Sequence, residues 1–285
     1  MAKFDGFLLL SDVDNTLLSN DKISPKNIEK IKYFTENGGL FTIVTGRGLA
    51  AALSPWKRSL SNTHLVCFNG GMIYDVQNKK PLYRDALSKE DKELFCRTVE
   101  KFDKVGVEVH VGEEIYILRD SKDVRWHCEY ESVSATLVKA EEIIDKEWDK
   151  GQFALDIDNP ELTEEIAEYI KAHPLKNSAF AKTSIGDGKH DYFELHSTNA
   201  NKGEAVKLIK KFTGAKKVFT IGDYFNDIGM FENSDVSACV SDAPEEVKKI
   251  VDYVVCSCVD GAVGEFIDII EKTEAAKCNK KESKN

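Results

Sequence analysis

Residues 7–18 read FLLLSDVDNTLL: four apolar side chains run, past one serine, into two aspartates separated by a single valine. An apolar run of this length without alternation is what a parallel strand covered on both faces requires. The two carboxylates then stand at its carboxyl end. Further strands of the same type read outward from it: LFTIVT (40–45), HLVCF (64–68), KVFTI (217–221), DVSACV (235–240) and DYVVC (252–256). Helical segments separate them. In SPKNIEKIKYFTENGG (24–39), Ser24 is placed to cap, Pro25 takes the first helical position, and Ile28, Ile31 and Phe34 form the apolar face. Gly38 or Gly39 ends that helix. Strand and helix in alternation predict an α/β fold with a doubly wound, mainly parallel sheet.

The middle of the chain follows another rule. A helix over 88–102 precedes two short strands, GVEVHV and EIYIL. QFALDI (152–157), a helix around 161–172, and AFAKTSIGDGKHDYFELH (179–196) follow. Paired strands with Gly/Asp turns predict an antiparallel sheet carrying helices on one face. The expected organisation is a core formed by residues 1–81 and 189–273, with an α+β domain, 82–188, inserted in it. The polar residues 274–285 read as a disordered tail.

A net charge of −10 over 285 residues argues against nucleic acid or an anionic membrane as a partner bound through the overall field. No run approaches the roughly 18 apolar residues of a membrane span, and the N-terminal apolar stretch is too short for a signal peptide. Seven cysteines without a histidine pattern read as reduced thiols of a cytoplasmic protein. The oligomeric state is not legible.

Chemistry gathers at the strand ends, which read SDVDNT, TGRG, NGG and GDYFND. In open parallel sheets ligands bind outside the carboxyl ends of the strands. Asp12, Asp14, Asp223 and Asp227 would share one crevice. Two such charges ~4 Å apart repel by about 4 kcal/mol at a partly buried site, so the group needs a cation. Oxygen ligands without His or Cys point to Mg²⁺. Thr45, Gly46, Lys202 and Asn226 suit an oxygen-rich anion. Metal plus anion clamp reads as phosphoryl transfer. A calcium loop fails on this stretch, because its sixth position is Leu17 and its twelfth Ile23 where Gly and Glu are needed. GRGLAA (46–51) resembles a dinucleotide fingerprint, but the following strand ends at Asn69 rather than at an acid.

These motifs, in this order, resemble the haloacid dehalogenase-like hydrolase superfamily. DVDNT is similar to its D-x-D-x-T motif, Thr45 in VTGR to its second, Lys202 in NKGEAV to its third and GDYFND to its acidic fourth. An insert between the second and third motifs resembles the Cof-type, class IIB capped branch, as do FNGGMIYD and VDGAVGEFI. The resemblance implies a Rossmann-like core whose cap closes over a small phosphorylated metabolite. Asp12 would be the nucleophile that forms an aspartyl-phosphate, and Asp14 the acid and then the base. Mg²⁺ would be held by Asp12, the Asp14 carbonyl and Asp223. Phosphate would be bound by Thr45, Lys202, Asn226 and the amides near Val13 and Gly46, while Asp227 would position Lys202 or the metal's waters. A phosphatase acting on a sugar phosphate is the expected activity, with a phosphorylated cofactor the second substrate. A phosphomutase of the same branch is the alternative; a nicotinamide-dependent oxidoreductase and an inactive binding protein stand behind it. Asn15 departs from the glycine more usual in this branch, and asparagine tolerates the same left-handed turn.

Overall fold

The structure is a computed structural model and describes residues 2–155, 160–185 and 190–282. Two compact units emerge. One comprises Met1–Thr45, Leu53–Pro81 and Asn201–Asn285, the other Gly46–Ala52 and Leu82–Ala200.

The first unit is built on β1 (Phe7–Ser11), α1 (Pro25–Glu36), β2 (Leu40–Ile43), α2 (Lys202–Thr213), β3 (Lys217–Gly222), β4 (Val236–Val240), β5 (Tyr253–Val255) and α3 (Ala262–Glu282). Its sheet runs β5-β4-β3-β1-β2 and every pairing is parallel. β1 lies between β2 and β3, with Leu9 beside Phe41 on one side and Phe219 on the other. Leu8, Leu9 and Leu10 are each 0% exposed, which is why the strand needs an unbroken apolar run. Each such side chain contributes about 1.5–3 kcal/mol on burial. α1 begins at Pro25 as expected, although the Ser24 side chain makes no capping hydrogen bond. It packs on α3, where the Lys30 ammonium meets Asp268 at 2.6 Å and the Gly264 N–H donates to Asn27 Oδ1 at 2.9 Å.

The sequence reading and the structure differ at several places in the layout. Strand Leu65–Cys67 reaches the core sheet through a single parallel bridge, Val44–Val66, and pairs antiparallel with Met72–Asp75. Strand His190–Ser197, expected in the core from residue 189 onward, instead pairs with Lys150–Leu155 and Ser178–Ile185, so the inserted sheet extends past 188. α3 also carries the chain to Glu282, through most of the segment that reads as a disordered tail.

The inserted unit holds a six-stranded sheet in the order Thr136–Leu137, Glu114–Arg119, Gly106–Val111, Lys150–Leu155, His190–Ser197, Ser178–Ile185. All its pairs are antiparallel except the one with Thr136–Leu137. Successive side chains alternate between faces. Val107, Val109, Phe153, Leu155 and Leu195 share one apolar cluster with Phe95 and Val99 of helix Lys89–Lys101 and Ile166 of helix Pro160–Ala172.

The opposite face is also covered, against the expectation of helices on one side only. Helix Lys122–Tyr130 lays Val124 on Ala154 and Tyr192. Under it sits a buried polar network. His127 Nδ1 lies 2.8 Å from Glu108 Oε2, to which Gln152 Nε2 also donates at 2.8 Å, and Lys150 pairs with Glu194 at 2.9 Å. Burial works against the Glu108 charge, but His110 and His127 prevail and draw its carboxyl down to about 2. A carboxylate held below its ordinary value of 4.5 adds stability that is full above that value and lost as the pH falls through the folded one. Glu108→Gln removes this contribution. In thermal melts between about pH 5 and pH 3 the parent's midpoint should therefore fall more steeply than the variant's, and parallel curves would refute the assignment.

Candidate active site

β1 and β3 are neighbours from which the chain winds in opposite directions, so the crevice at their carboxyl ends is the topological switch point of the sheet. Asp12 is the first residue beyond β1, and its N–H donates to the Ile221 carbonyl of β3 at 2.9 Å. The chain then folds back sharply. The Val13 carbonyl accepts from the Leu17 and Leu18 N–H groups at 2.9 and 2.8 Å, and the Asn15 N–H donates to Leu18 O at 2.9 Å. Asn15 takes φ +59°, a left-handed angle asparagine tolerates better than most residues. This tight loop fixes both aspartates relative to the strand.

Lys202 opens α2, whose N-cap Asn201 accepts from the Glu204 N–H at 2.8 Å. Its side chain is buried, and its ammonium lies 2.5 Å from Asp12 Oδ1 and 2.6 Å from Asp227 Oδ1. The other oxygen of Asp227 accepts the N–H groups of Asp223 and Tyr224 at 2.9 and 3.2 Å. A side chain at Gly222 would strike the Asp227 carboxylate, which explains the glycine of GDYFND. The Thr16 hydroxyl, itself buried, donates to Asp223 Oδ1 at 3.4 Å. Thr45 is buried just beyond β2. Its N–H donates to Val66 O at 3.0 Å and its carbonyl accepts the Asn69 N–H at 2.9 Å.

Burial disfavours charge on Asp12 and pushes its carboxyl well above the ordinary range; Asp227, Asp223 and Asp14 add to this and Lys202 opposes it. Burial, then Asp227, raise Asp223 to about 7. Burial works against the Lys202 ammonium, yet Asp12 and Asp227 hold its pKa above the ordinary value, so it stays charged. Burial and the nearby Asp223, Asp12 and Asp14 push the Cys258 thiol up to about 12, which keeps it protonated beside them. Asp12, Asp223 and Asp227 each bring a carboxylate oxygen within 4.8 Å of the others. Three acids with one ammonium leave an excess of negative charge, and an all-oxygen donor set suits a hard divalent cation. Both oxygens of Asp227 are already engaged, so Asp12 and Asp223 are the carboxylates most able to hold it.

Of the residues singled out from the sequence, Asp12, Lys202, Asp223 and Asp227 meet directly. Asp14 lies close enough to raise both Asp12 and Asp223, but its side chain is not one of the clustered ligands. Val13 is fully buried. Asn226 is exposed on the single turn Phe225–Asp227. Gly46 follows Thr45 and begins the segment Gly46–Ala52, which groups with the inserted unit. Thr16 is a contact the sequence reading did not assign; its place as the last letter of D-x-D-x-T was the available signal.

The family model for haloacid dehalogenase-like hydrolases matches residues 9–267, and the chain belongs to that family. The 5-amino-6-(5-phospho-D-ribitylamino)uracil phosphatase YwtE of Bacillus subtilis is 27% identical over 287 residues, covering 90% of this chain and 95% of its own. A haloacid dehalogenase-like hydrolase from Bacteroides thetaiotaomicron superposes with a TM-score of 0.79 at 19% identity, over 94% of this chain and 99% of its own. The subclass IIB sugar phosphatase BT4131 does so with a TM-score of 0.73 at 19% identity, over 92% and 98%. The two superpositions carry the fold.

Removing one partner of a buried ion pair strands the other charge, at a cost of about 3–5 kcal/mol. Lys202 keeps Asp12, so Asp227→Ala should cost less than that, about 1–3 kcal/mol in urea titrations, mainly because the Asp223 and Tyr224 N–H groups lose their acceptor. A change near the few tenths of a kcal/mol of an exposed pair would contradict this.

Proposed function

We propose that the protein is a Mg²⁺-dependent phosphatase of the cytoplasm that hydrolyses a small phosphorylated metabolite, with a sugar phosphate favoured, through an aspartyl-phosphate at Asp12. The observation that carries this reading is the Lys202 ammonium bound to both Asp12 and Asp227 inside a cluster of buried carboxylates. A relative named as the phosphatase of a phosphorylated ribityl compound supports the substrate class. The reduced thiols of Cys239 and Cys258 suit a reducing compartment.

Asp12 attacks phosphorus with a carboxylate oxygen while the bond to the leaving oxygen breaks, and Asp14 gives that oxygen its proton. Asp14, now ionised, takes a proton from water; the water oxygen bonds to phosphorus, the bond to Asp12 breaks, and inorganic phosphate leaves. Mg²⁺, held by the carboxylates of Asp12 and Asp223 and the carbonyl of Asp14, would neutralise charge on the transferring group. Lys202 favours the ionised form of Asp12 against burial and aims its carboxylate. Thr45, Lys202, Asn226 and the amide of Val13 bind the phosphoryl oxygens. Proton transfer alone supplies about 10²–10⁴-fold, so positioning and electrostatics must supply the rest.

A chromogenic phosphate monoester should be hydrolysed with Mg²⁺ and spared with chelator, and Asp12→Asn should lower kcat by at least about 10³-fold. Full activity in that variant, or release without metal, would sink the proposal. Asp14→Asn should slow turnover by about 10²–10⁴-fold while calorimetry shows Mg²⁺ still bound. Loss of metal binding would instead make its carboxylate a ligand.

A further inference from the structure

Strand Leu65–Cys67 runs into Phe68, Asn69 and Gly70, which take φ +52°, +53° and +99° in succession. Three left-handed residues in a row are rare, and for a bulky phenylalanine the angle is a genuine outlier. The Oδ1 of Asn69 is buried without a hydrogen-bond partner among the described residues. Strain and an unsatisfied acceptor in one short loop persist only where the surroundings over-determine it, and such places cluster at functional sites.

The loop touches both sides of the phosphate-binding set. Through its N–H, Asn69 holds the carbonyl of Thr45 at 2.9 Å. Gly70 lies against the start of α2: a Cβ there would come within 2.5 Å of the Asn201 carbonyl oxygen and 3.0 Å of the Ala205 Cβ. Asn201 is the N-cap and Lys202 the next residue. One short turn therefore abuts the residue that carries each anion-binding group, or its immediate neighbour.

We propose that Phe68–Gly70 is a positioning loop whose left-handed backbone sets the spacing between Thr45 and Lys202, so that both reach one phosphate. The inference rests on the phosphatase reading for the identity of the shared anion. Asn69 and Gly70 act through Thr45 and Lys202; neither is assigned a contact with substrate. Asparagine and glycine are the residues that take these angles most readily, and at Gly70 the space excludes any side chain.

The test measures inorganic phosphate affinity by calorimetry on the full chain in the presence of Mg²⁺, alongside kcat, KM and the Mg²⁺ activation constant. Gly70→Ala should weaken phosphate binding at least about tenfold and lower kcat, toward the roughly 10²-fold loss that a 1 Å misplacement brings. The Mg²⁺ constant, set by Asp12, Asp14 and Asp223, should stay within about twofold, a split that mere loss of folded protein would not produce. Asn69→Gly takes the same angle without strain and should keep phosphate affinity within about threefold, whereas Asn69→Val, barred from that angle, should lose it. If Gly70→Ala does not fold, Asn69→Gly decides: lost affinity there makes the side chain essential and overturns a backbone role. Unchanged affinity and kcat in Gly70→Ala or Asn69→Val also overturns it. If the parent binds phosphate without turning over substrate, the phosphatase reading falls and the variants still test the loop; if it does neither, both fall.

Discussion

A lysine ammonium buried to 2% exposure cannot stand alone, and the rest of the core site depends on how Lys202 is satisfied. Its partners, Asp12 and Asp227, come from the ends of β1 and β3. Asp227 is held in turn by the backbone of Asp223 and Tyr224, which needs a glycine at 222. The start of α2 must be close, which is met by Gly203 lying against the Gly229 carbonyl where any Cβ would fall within 2.7 Å. One ion triad thus explains residue choices on three separate stretches of the chain. It also fixes the direction of the Asp12 carboxylate, since one of its oxygens is bound by Lys202.

Much of the core was legible because parallel strands covered on both faces must be continuously apolar, and ligand groups must then follow them. FLLLSD and KVFTIGD carry that signature without ambiguity. The inserted unit was harder, because its sheet hides polar residues. Glu108, His110 and Gln152 alternate with Val107, Val109 and Phe153, and this pattern reads as one wet face and one dry face. In the fold both faces are covered, and ion pairs and hydrogen bonds replace solvent on the polar one. Period-two patterning reports which residues share a face; it does not report whether a polar face is exposed.

Within the site, residue types were legible and their pairings were not. Spacing placed Asp12, Lys202, Asp223 and Asp227 at the same end of the sheet, but which oxygen faces which donor is fixed only by three-dimensional packing. Asn226, one residue from Asp227, is exposed while Asp227 is fully buried, because the single turn Phe225–Asp227 points neighbouring side chains in different directions. Motif resemblance cannot resolve that difference. The left-handed angles of Phe68 and Asn69 leave no compositional trace either, except that FNGG offers two glycines and an asparagine to a turn.

Burial first, and then the neighbouring carboxylates, raise the pKa values of Asp12 and Asp223 against the pull of a single ammonium. Protons or a divalent cation can relieve that crowding. Protonation would neutralise Asp12, whereas a cation would leave its carboxylate ionised and add attraction for an incoming anion. The same crowding that makes the cluster costly in isolation therefore selects for hard cations and disfavours an unassisted anion. Lys202 is too few charges to reverse the sign of the crevice, and its commitment to Asp12 and Asp227 leaves it only a share to offer phosphate. In the reaction proposed above, a phosphate ester and a divalent cation would enter this crevice as complementary charges, the electrostatic condition for attack by one carboxylate on another anion.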